Sequence, residues 1–348
     1  KADFRSQANH LRSLFVARGA GVFVADILQP AGALLNIYGE DIRARAFVTL
    51  DPLRGEMMLR PDFTVPLVQR HLTEDRPAAR YTYAGEVFRR QEDDEDRPTE
   101  YIQVGYELIG DEDEAAADAE VFAAMADALG DAPVNRTIGE FSVLTAAIDS
   151  LDTPERRKKA LYRHLWRPHR FDALIDRYSR PAPPPPRMPD PDVPHVGLRT
   201  RDDIAARIAV LAEEAETPPL AAGEVARLRA LLALRDTAPA ALEQIKLIGD
   251  GCAPILAAAD RVETLLRAFQ DRGIDTTDLL FEASFGLTSL EYYSGFVFGF
   301  SADGFAPVAT GGRYDLLTQA MSNGQKTLPA VGGVIRPEIL MALKGGQG

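Results

Sequence analysis

Apolar side chains near the start of the chain recur at helical spacing, with Leu11, Leu14, Phe15 and Val16 close to one stripe. Gly19-Ala20-Gly21 closes that stretch, so the pattern predicts a helix over 4–21. Val22 to Leu28 then turns β-branched and aromatic, which predicts a strand ended by Gln29-Pro30, because proline cannot donate to a ladder. Two further β-rich runs, Tyr81 to Arg90 and Tyr101 to Ile109, flank a charged stretch from Gln91 to Glu100. That stretch is longer than a tight hairpin needs and reads either as a solvated loop or as a cover for a ligand.

Alanine-rich periodicity from Asp113 to Leu129 predicts a helix stopped by Gly130-Asp131-Ala132-Pro133. From Leu144 to Arg235 the chain is mostly helix-forming, broken by a proline-rich segment from Arg180 to Pro191 that favours extended geometry. That segment reads as a stiff connector or as a proline-rich ligand. Strand patterns return at Leu279 to Phe285, Tyr292 to Phe300 and Ala306 to Thr310. The strands cluster instead of alternating with helices, which predicts an α+β fold with a mainly antiparallel sheet flanked by helices. The expected organisation is a core of 1–143 and 236–348, with a mainly helical insertion at 144–235 whose proline-rich connector spans 180–194.

Composition narrows the possible chemistry. The 348 residues carry 39 Lys and Arg against 52 Asp and Glu, a net charge of −13 that repels polyanions, so no nucleic-acid partner is expected. Cys252 is the only cysteine, which excludes an intrachain disulfide and a thiolate zinc cluster. The five histidines show no metal-ligand spacing, so no metal is expected, and the expectation is of no cofactor either. No run reaches the roughly 18 apolar residues of a membrane span, and the first 30 residues lack a signal-peptide layout, so a cytoplasmic protein without membrane contact is expected.

Several polar sets could carry function. Asp62 and Thr64 are two apart, and they would either face one side of an extended segment to bind an ammonium or cap the helix Val65 to Leu72. Gln103 and Glu107 share strand parity, and Gly105 between them would let a ligand approach closely. Tyr292-Tyr293, and Gly311-Gly312-Arg313-Tyr314-Asp315, offer aromatic walls and a glycine turn, or equally sheet packing and a simple turn.

Taken in order, these segments resemble the catalytic core of the histidyl-tRNA synthetase family, a class II aminoacyl-tRNA synthetase fold. Leu59-Arg60-Pro61-Asp62-Phe63-Thr64 is similar to its Leu-Arg-Pro-Glu-Gly-Thr. Val87-Phe88-Arg89-Arg90-Gln91 with Gln103-Val104-Gly105-Tyr106-Glu107 resembles its second class motif. Leu290-Glu291-Tyr292-Tyr293 resembles the Arg-Gly-Leu-Asp-Tyr-Tyr segment, and Gly311 to Asp315 with Val331-Gly332-Gly333 resembles the approach to the third motif. The resemblance implies a histidine pocket: Asp62, Thr64 and Gln103 at the amino-acid backbone, Glu107 and Tyr293 at the imidazole beside Tyr292, and Tyr314 closing it. Arg89 would be a remnant nucleotide or ligand contact.

Departures from the family bear on activity. Thr288 stands where the family has an arginine, and a hydroxyl cannot supply the bidentate permanent charge that adenylation needs. Ile339 stands in place of the ATP-holding arginine of the third motif, Pro337 would disturb the helix there, Arg336 could compensate, and Gln91 replaces a glutamate. The chain ends shortly after that motif, so no anticodon-binding domain is expected.

This combination resembles the regulatory subunits of ATP phosphoribosyltransferase, the first enzyme of histidine biosynthesis. It implies a non-catalytic subunit that activates a short-form catalytic subunit and mediates feedback inhibition by L-histidine, as a homodimer within a larger hetero-oligomer. The first class motif, around Val22 to Pro30, would form the homodimer contact. A histidyl-tRNA synthetase-like histidine-activating ligase, or a scaffold with a vestigial pocket, are the competing readings.

Overall fold

The computed structural model describes residues 2–32, 45–90, 98–190, 197–287 and 293–345. Helix α1 (Ala2–Ala17) buries Ala8, Leu11 and Phe15, the stripe read from the sequence. The chain then splits between two sheets. Strand β1 (Gly21–Val22) belongs to a nine-stranded sheet, whereas β2 (Leu28–Pro30) pairs with β4 (Gly55–Leu59), whose other neighbour is β3 (Val48–Asp51).

The single strand expected over Val22 to Leu28 is therefore broken. Arg60, just after β4, occupies the break: its guanidinium hydrogen-bonds the Ala25 carbonyl, and its Nε donates to the Glu86 carbonyl at 2.8 Å. Pro30 closes β2 instead of lying beyond it, which costs little on an edge strand.

Helix α2 (Thr64–Thr73) leads into the long hairpin of β5 (Ala79–Phe88) and β6 (Glu100–Ile109), paired from Ala79↔Ile109 to Phe88↔Glu100. Most of the charged stretch between them, 91–97, lies outside the described residues. Helix α3 (Glu114–Leu129) starts on Asp113, whose carboxylate accepts the Ala116 amide, and ends on Gly130 at a φ of 59°. Strand β7 (Asn135–Glu140) follows.

Between 141 and 232 the described regular elements are all helices: α4 (Phe141–Asp149), α5 (Glu155–His164), α6 (Pro168–Tyr178), α7 (Arg201–Glu216) and α8 (Ala222–Leu232). Part of the proline-rich connector, 191–196, lies outside the described residues. Arg157 of α5, only 1% exposed, holds this region together. Its Nε donates to Glu214 of α7 at 2.8 Å, its Nη1 donates to the Pro218 carbonyl at 2.8 Å, and its guanidinium lies 4.9 Å from the Tyr178 ring centre.

The chain returns to the large sheet at β8 (Arg235–Thr237), then runs through α9 (Ala238–Ile248), α10 (Ala253–Asp271) and β9 (Leu280–Glu282). The final elements are β10 (Phe296–Ser301), β11 (Ala309–Arg313), α11 (Asp315–Met321), β12 (Ala330–Ile335) and α12 (Pro337–Gly345). Strand order is β1-β5-β6-β12-β11-β10-β7-β9-β8. Only β1·β5 and β7·β9 pair in parallel among the described strands, so the sheet is mainly antiparallel as expected.

Helices α1, α3 and α10 cover one face of this sheet. Phe122 of α3 meets Phe269 of α10 at 4.9 Å between ring centres and Phe298 of β10 at 5.5 Å, while Phe15 reaches Tyr106 at 5.2 Å. Strand alternation sends the intervening residues of β6 to the opposite face. No helix among the described residues is long and apolar enough to cross a membrane.

Candidate functional site

The face of the sheet opposite these helices holds a cleft lined by Asp62, Thr64, Arg89, Gln103, Glu107, Tyr293, Thr310, Tyr314, Gly332, Gly333, Val334 and Arg336. Every described residue named from the sequence as a ligand contact is among them. Tyr292 lies outside the described residues, as do Thr288, Leu290, Glu291 and Gln91.

Glu107, 2% exposed, is the centre of the site. Its Oε1 accepts hydrogen bonds from Tyr83 Oη at 2.8 Å and Thr64 Oγ1 at 3.1 Å, and its Oε2 accepts one from Tyr314 Oη at 2.7 Å. Burial pushes this carboxyl up to about 7, the three hydroxyls hold it back, and the neighbouring Asp62 charge adds to the rise. The group is therefore poised near neutrality. Burial and the Glu107 charge also push the Tyr293 phenol upward, so it remains a neutral donor.

Glycines make room for this arrangement. Gly332 lies opposite Glu107 across the β6–β12 ladder, and a Cβ there would come within 1.4 Å of Glu107 Oε2. Gly105 has a different reason from the one read in the sequence: its missing Cβ makes room for the Tyr83 ring, which it would meet at 2.0 Å, and not for a ligand. Tyr83 is a site residue that the sequence reading missed. Its parity with Tyr81, and the glycine facing it across the hairpin, were the available clues.

Asp62 and Thr64 both line the cleft, and Asp62 also serves the helix start. Asp62 Oδ1 accepts the Val65 amide at 3.3 Å in the first turn of α2, while Thr64 turns its hydroxyl to Glu107. Both are buried, at 3% and 6% exposure. Arg89 reaches back to this turn and donates from Nε to the Pro61 carbonyl at 2.8 Å. Gln103 is 3% exposed, and its Oε1 has no hydrogen-bond partner among the described residues. A buried carbonyl oxygen of this kind asks for a donor, and the cleft is where one would arrive.

The Gly311-Gly312-Arg313-Tyr314-Asp315 segment builds more than a turn. Arg313 is 1% exposed and pairs with Asp118 of α3 at 2.7 Å and with Asp315 at 3.2 Å. Burial opposes its charge, but Asp118 and Asp315 outweigh that cost and raise its pKa. The Arg313 carbonyl accepts the Ser294 amide at 2.8 Å, next to Tyr293, and the Tyr314 amide donates to the Ala330 carbonyl at 2.8 Å. A buried ion pair behind the sheet thus positions both tyrosines.

Pro337 does not disturb the terminal helix, because it is the first residue of α12, where its missing amide costs nothing. Ile339 packs against the core, and Arg336 takes a place in the cleft with its guanidinium 5.6 Å from the Tyr101 ring centre. Among the described residues no group of His, Cys, Asp and Glu is placed to hold a metal ion. The cleft offers buried oxygen acceptors at one end and two guanidinium groups, suited to a small ligand rich in N–H donors that also carries an anionic group.

Comparison with known proteins agrees with this architecture. The family model described as histidyl-tRNA synthetase matches residues 3–177 and 198–340. An ATP phosphoribosyltransferase regulatory subunit from Brucella canis is 32% identical over 377 residues, covering 97% of this chain and 96% of that protein. One from Brucella ovis is 31% identical over 375 residues, with the same coverage of 97% and 96%. A solved structure described as an ATP phosphoribosyltransferase regulatory subunit/histidyl-tRNA synthetase from Bacillus halodurans has a TM-score of 0.72 at 22% identity, covering 98% of this chain and 79% of that one. A histidyl-tRNA synthetase from Nostoc sp. PCC 7120 has a TM-score of 0.66 at 15% identity, covering 99% and 73%. These two share the fold.

Proposed function

Because this chain belongs to the histidyl-tRNA synthetase family, and within it to the ATP phosphoribosyltransferase regulatory subunits, we propose that it assembles with a short-form catalytic subunit, activates it and makes it sensitive to histidine. The cleft is the histidine sensor. Glu107 accepts the imidazole N–H, Asp62 and Gln103 Oε1 accept the ammonium, and Tyr293 and Tyr314 form the walls. The observation that carries this reading is the buried Gln103 oxygen, without a partner among the described residues, next to a buried carboxylate already holding three hydroxyls. Buried acceptors of this kind call for N–H donors, and free histidine supplies them at both ends.

In this role the ligand is sensed, not transformed. Histidine inhibits by binding one state of the complex more tightly than another, with a coupling of about 1–3 kcal/mol typical of such systems. The second reading, a histidine-activating ligase, draws support from Arg89 and Arg336, which could meet an ATP phosphate. Histidine-dependent exchange of pyrophosphate into ATP would establish it.

A homodimer is also part of the proposal. Val24, Leu50 and Leu53 are 73%, 77% and 96% exposed, with Val22, Ile27, Leu28 and Val48 also open, in and around β1 to β4. Apolar side chains grouped in this way suit a contact with a second copy.

The deciding assay is phosphoribosyl transfer by an active short-form catalytic subunit, with and without this chain, across a histidine titration. Activation by the chain, and histidine inhibition that weakens in Glu107→Ala, is the expected result. A chain that neither binds nor alters the catalytic subunit would overturn the regulatory reading.

A further inference from the structure

The cleft extends past the residues that would meet the ring and amine of histidine. Across the β6–β12 ladder, Gly332 faces Glu107 and Ile335 faces Val104, so Arg336 follows at the level of Gln103. Strand alternation puts Arg336 on the same face as Gly332 and Val334, and all three line the cleft. Four strand residues from Gln103 to Glu107 span roughly 13 Å. An extended histidine measures about 6 Å from ring nitrogen to carboxylate oxygen, and a hydrogen bond at each end brings this to about 12 Å. A ligand whose ring sits on Glu107 therefore brings its carboxylate to Arg336.

The surroundings hold that guanidinium in place. The Arg336 amide donates to the Val308 carbonyl at 2.9 Å, and Glu338 in the next turn accepts the Ile102 amide at 2.9 Å, which fixes the start of α12 against β6. Tyr101, two residues from Gln103 on the same face, offers its ring to the cation at 5.6 Å. Arg89 reaches the other side of the cleft, with its Nε on the Pro61 carbonyl beside Asp62.

Building on the histidine reading, we infer that Arg336 pairs with the carboxylate of the bound amino acid and makes a free carboxylate a condition of binding. The cleft then reports free histidine and rejects histidine whose carboxyl group is amidated, as it is inside a peptide. Arg336 is a specificity-determining residue of the sensor.

Calorimetric titration of the full chain with histidine and with histidinamide tests this. The wild type is expected to bind histidinamide at least about tenfold more weakly, the size of one lost charge-assisted contact. Arg336→Ala should weaken histidine to the level of histidinamide while leaving histidinamide itself unchanged, which also shows that the variant is folded. Arg336→Lys should keep most of the preference. Equal binding of the two compounds by the wild type, or an unchanged preference in Arg336→Ala, would overturn the inference while the histidine reading stands. Binding of neither compound by the wild type removes the histidine reading and the inference with it.

Discussion

Replacing Glu107 with glutamine separates what the site costs the fold from what it gives to binding. Glutamine keeps the shape of the side chain and can still meet the hydroxyls of Tyr83, Thr64 and Tyr314, but it never ionises. In the folded wild type the carboxyl is raised from 4.5 to about 7. The folded state thus holds more protons than the unfolded state between these values, and stability falls as pH rises. The stabilising difference is whole below the unfolded value and is lost as pH climbs through the folded one. Between pH 5 and pH 8 this single group removes about 2 to 3 kcal/mol. Glu107→Gln lacks that loss, so at pH 8 it should melt about 3 °C above the wild type, given the unfolding entropy of a chain this long. The two proteins should converge as the pH falls towards 5. Asp118 also titrates upward through burial, but it is common to both proteins and cancels in the difference. Paired thermal melts of the free protein at pH 5, 6, 7 and 8 measure the effect, and histidine affinity should fall in the same variant. A wild type and variant with parallel pH profiles would refute the account of Glu107 as a buried, strained charge.

Other changes read different parts of the structure. Gly332→Ala puts a methyl group 1.4 Å from Glu107 Oε2, so the carboxylate must leave its place; histidine binding should be lost, as calorimetry would show, while Arg336→Lys retains it. Leu50→Asp, at a residue 77% exposed, should leave the melting temperature nearly unchanged but weaken self-association by about 2 kcal/mol, roughly thirtyfold, in sedimentation velocity. Arg157→Ala leaves the 5% exposed Glu214 with Arg156 as its cation, and denaturant unfolding should show a loss of about 2 kcal/mol with no direct effect on the cleft.

Much of the site was legible because it lies on strands, where parity fixes facing. Gln103 and Glu107 could be placed on one side from their spacing alone, and both line the cleft. The helical stripe of α1 was equally readable, since Leu11 and Phe15 have one apolar surface to cover. What the sequence hid were contacts that depend on three-dimensional neighbours. The break between Val22 and Leu28 is occupied by Arg60, which reaches the Ala25 carbonyl from another segment, a contact no local propensity encodes. Tyr83 looked like one more aromatic in a strand until Gly105 opposite gave its ring a place and Glu107 gave its hydroxyl a partner. The role of Arg336 was obscured by Pro337, which suggests a damaged helix in sequence and is a helix start in space.

The missing side chain at Gly332 bears on how other members of this family are read. A comparison that scores only polar residues would grade a chain by Asp62, Thr64, Gln103 and Glu107, and would pass any protein that retains them. Yet one added carbon at the position of Gly332 occupies the volume of the Glu107 carboxylate, and the same polar residues then enclose no usable site. Loss of the proposed histidine site can thus occur by a single small substitution that leaves every hydrogen-bonding residue in place, and the first position to inspect in a divergent relative is one that contributes no side chain at all.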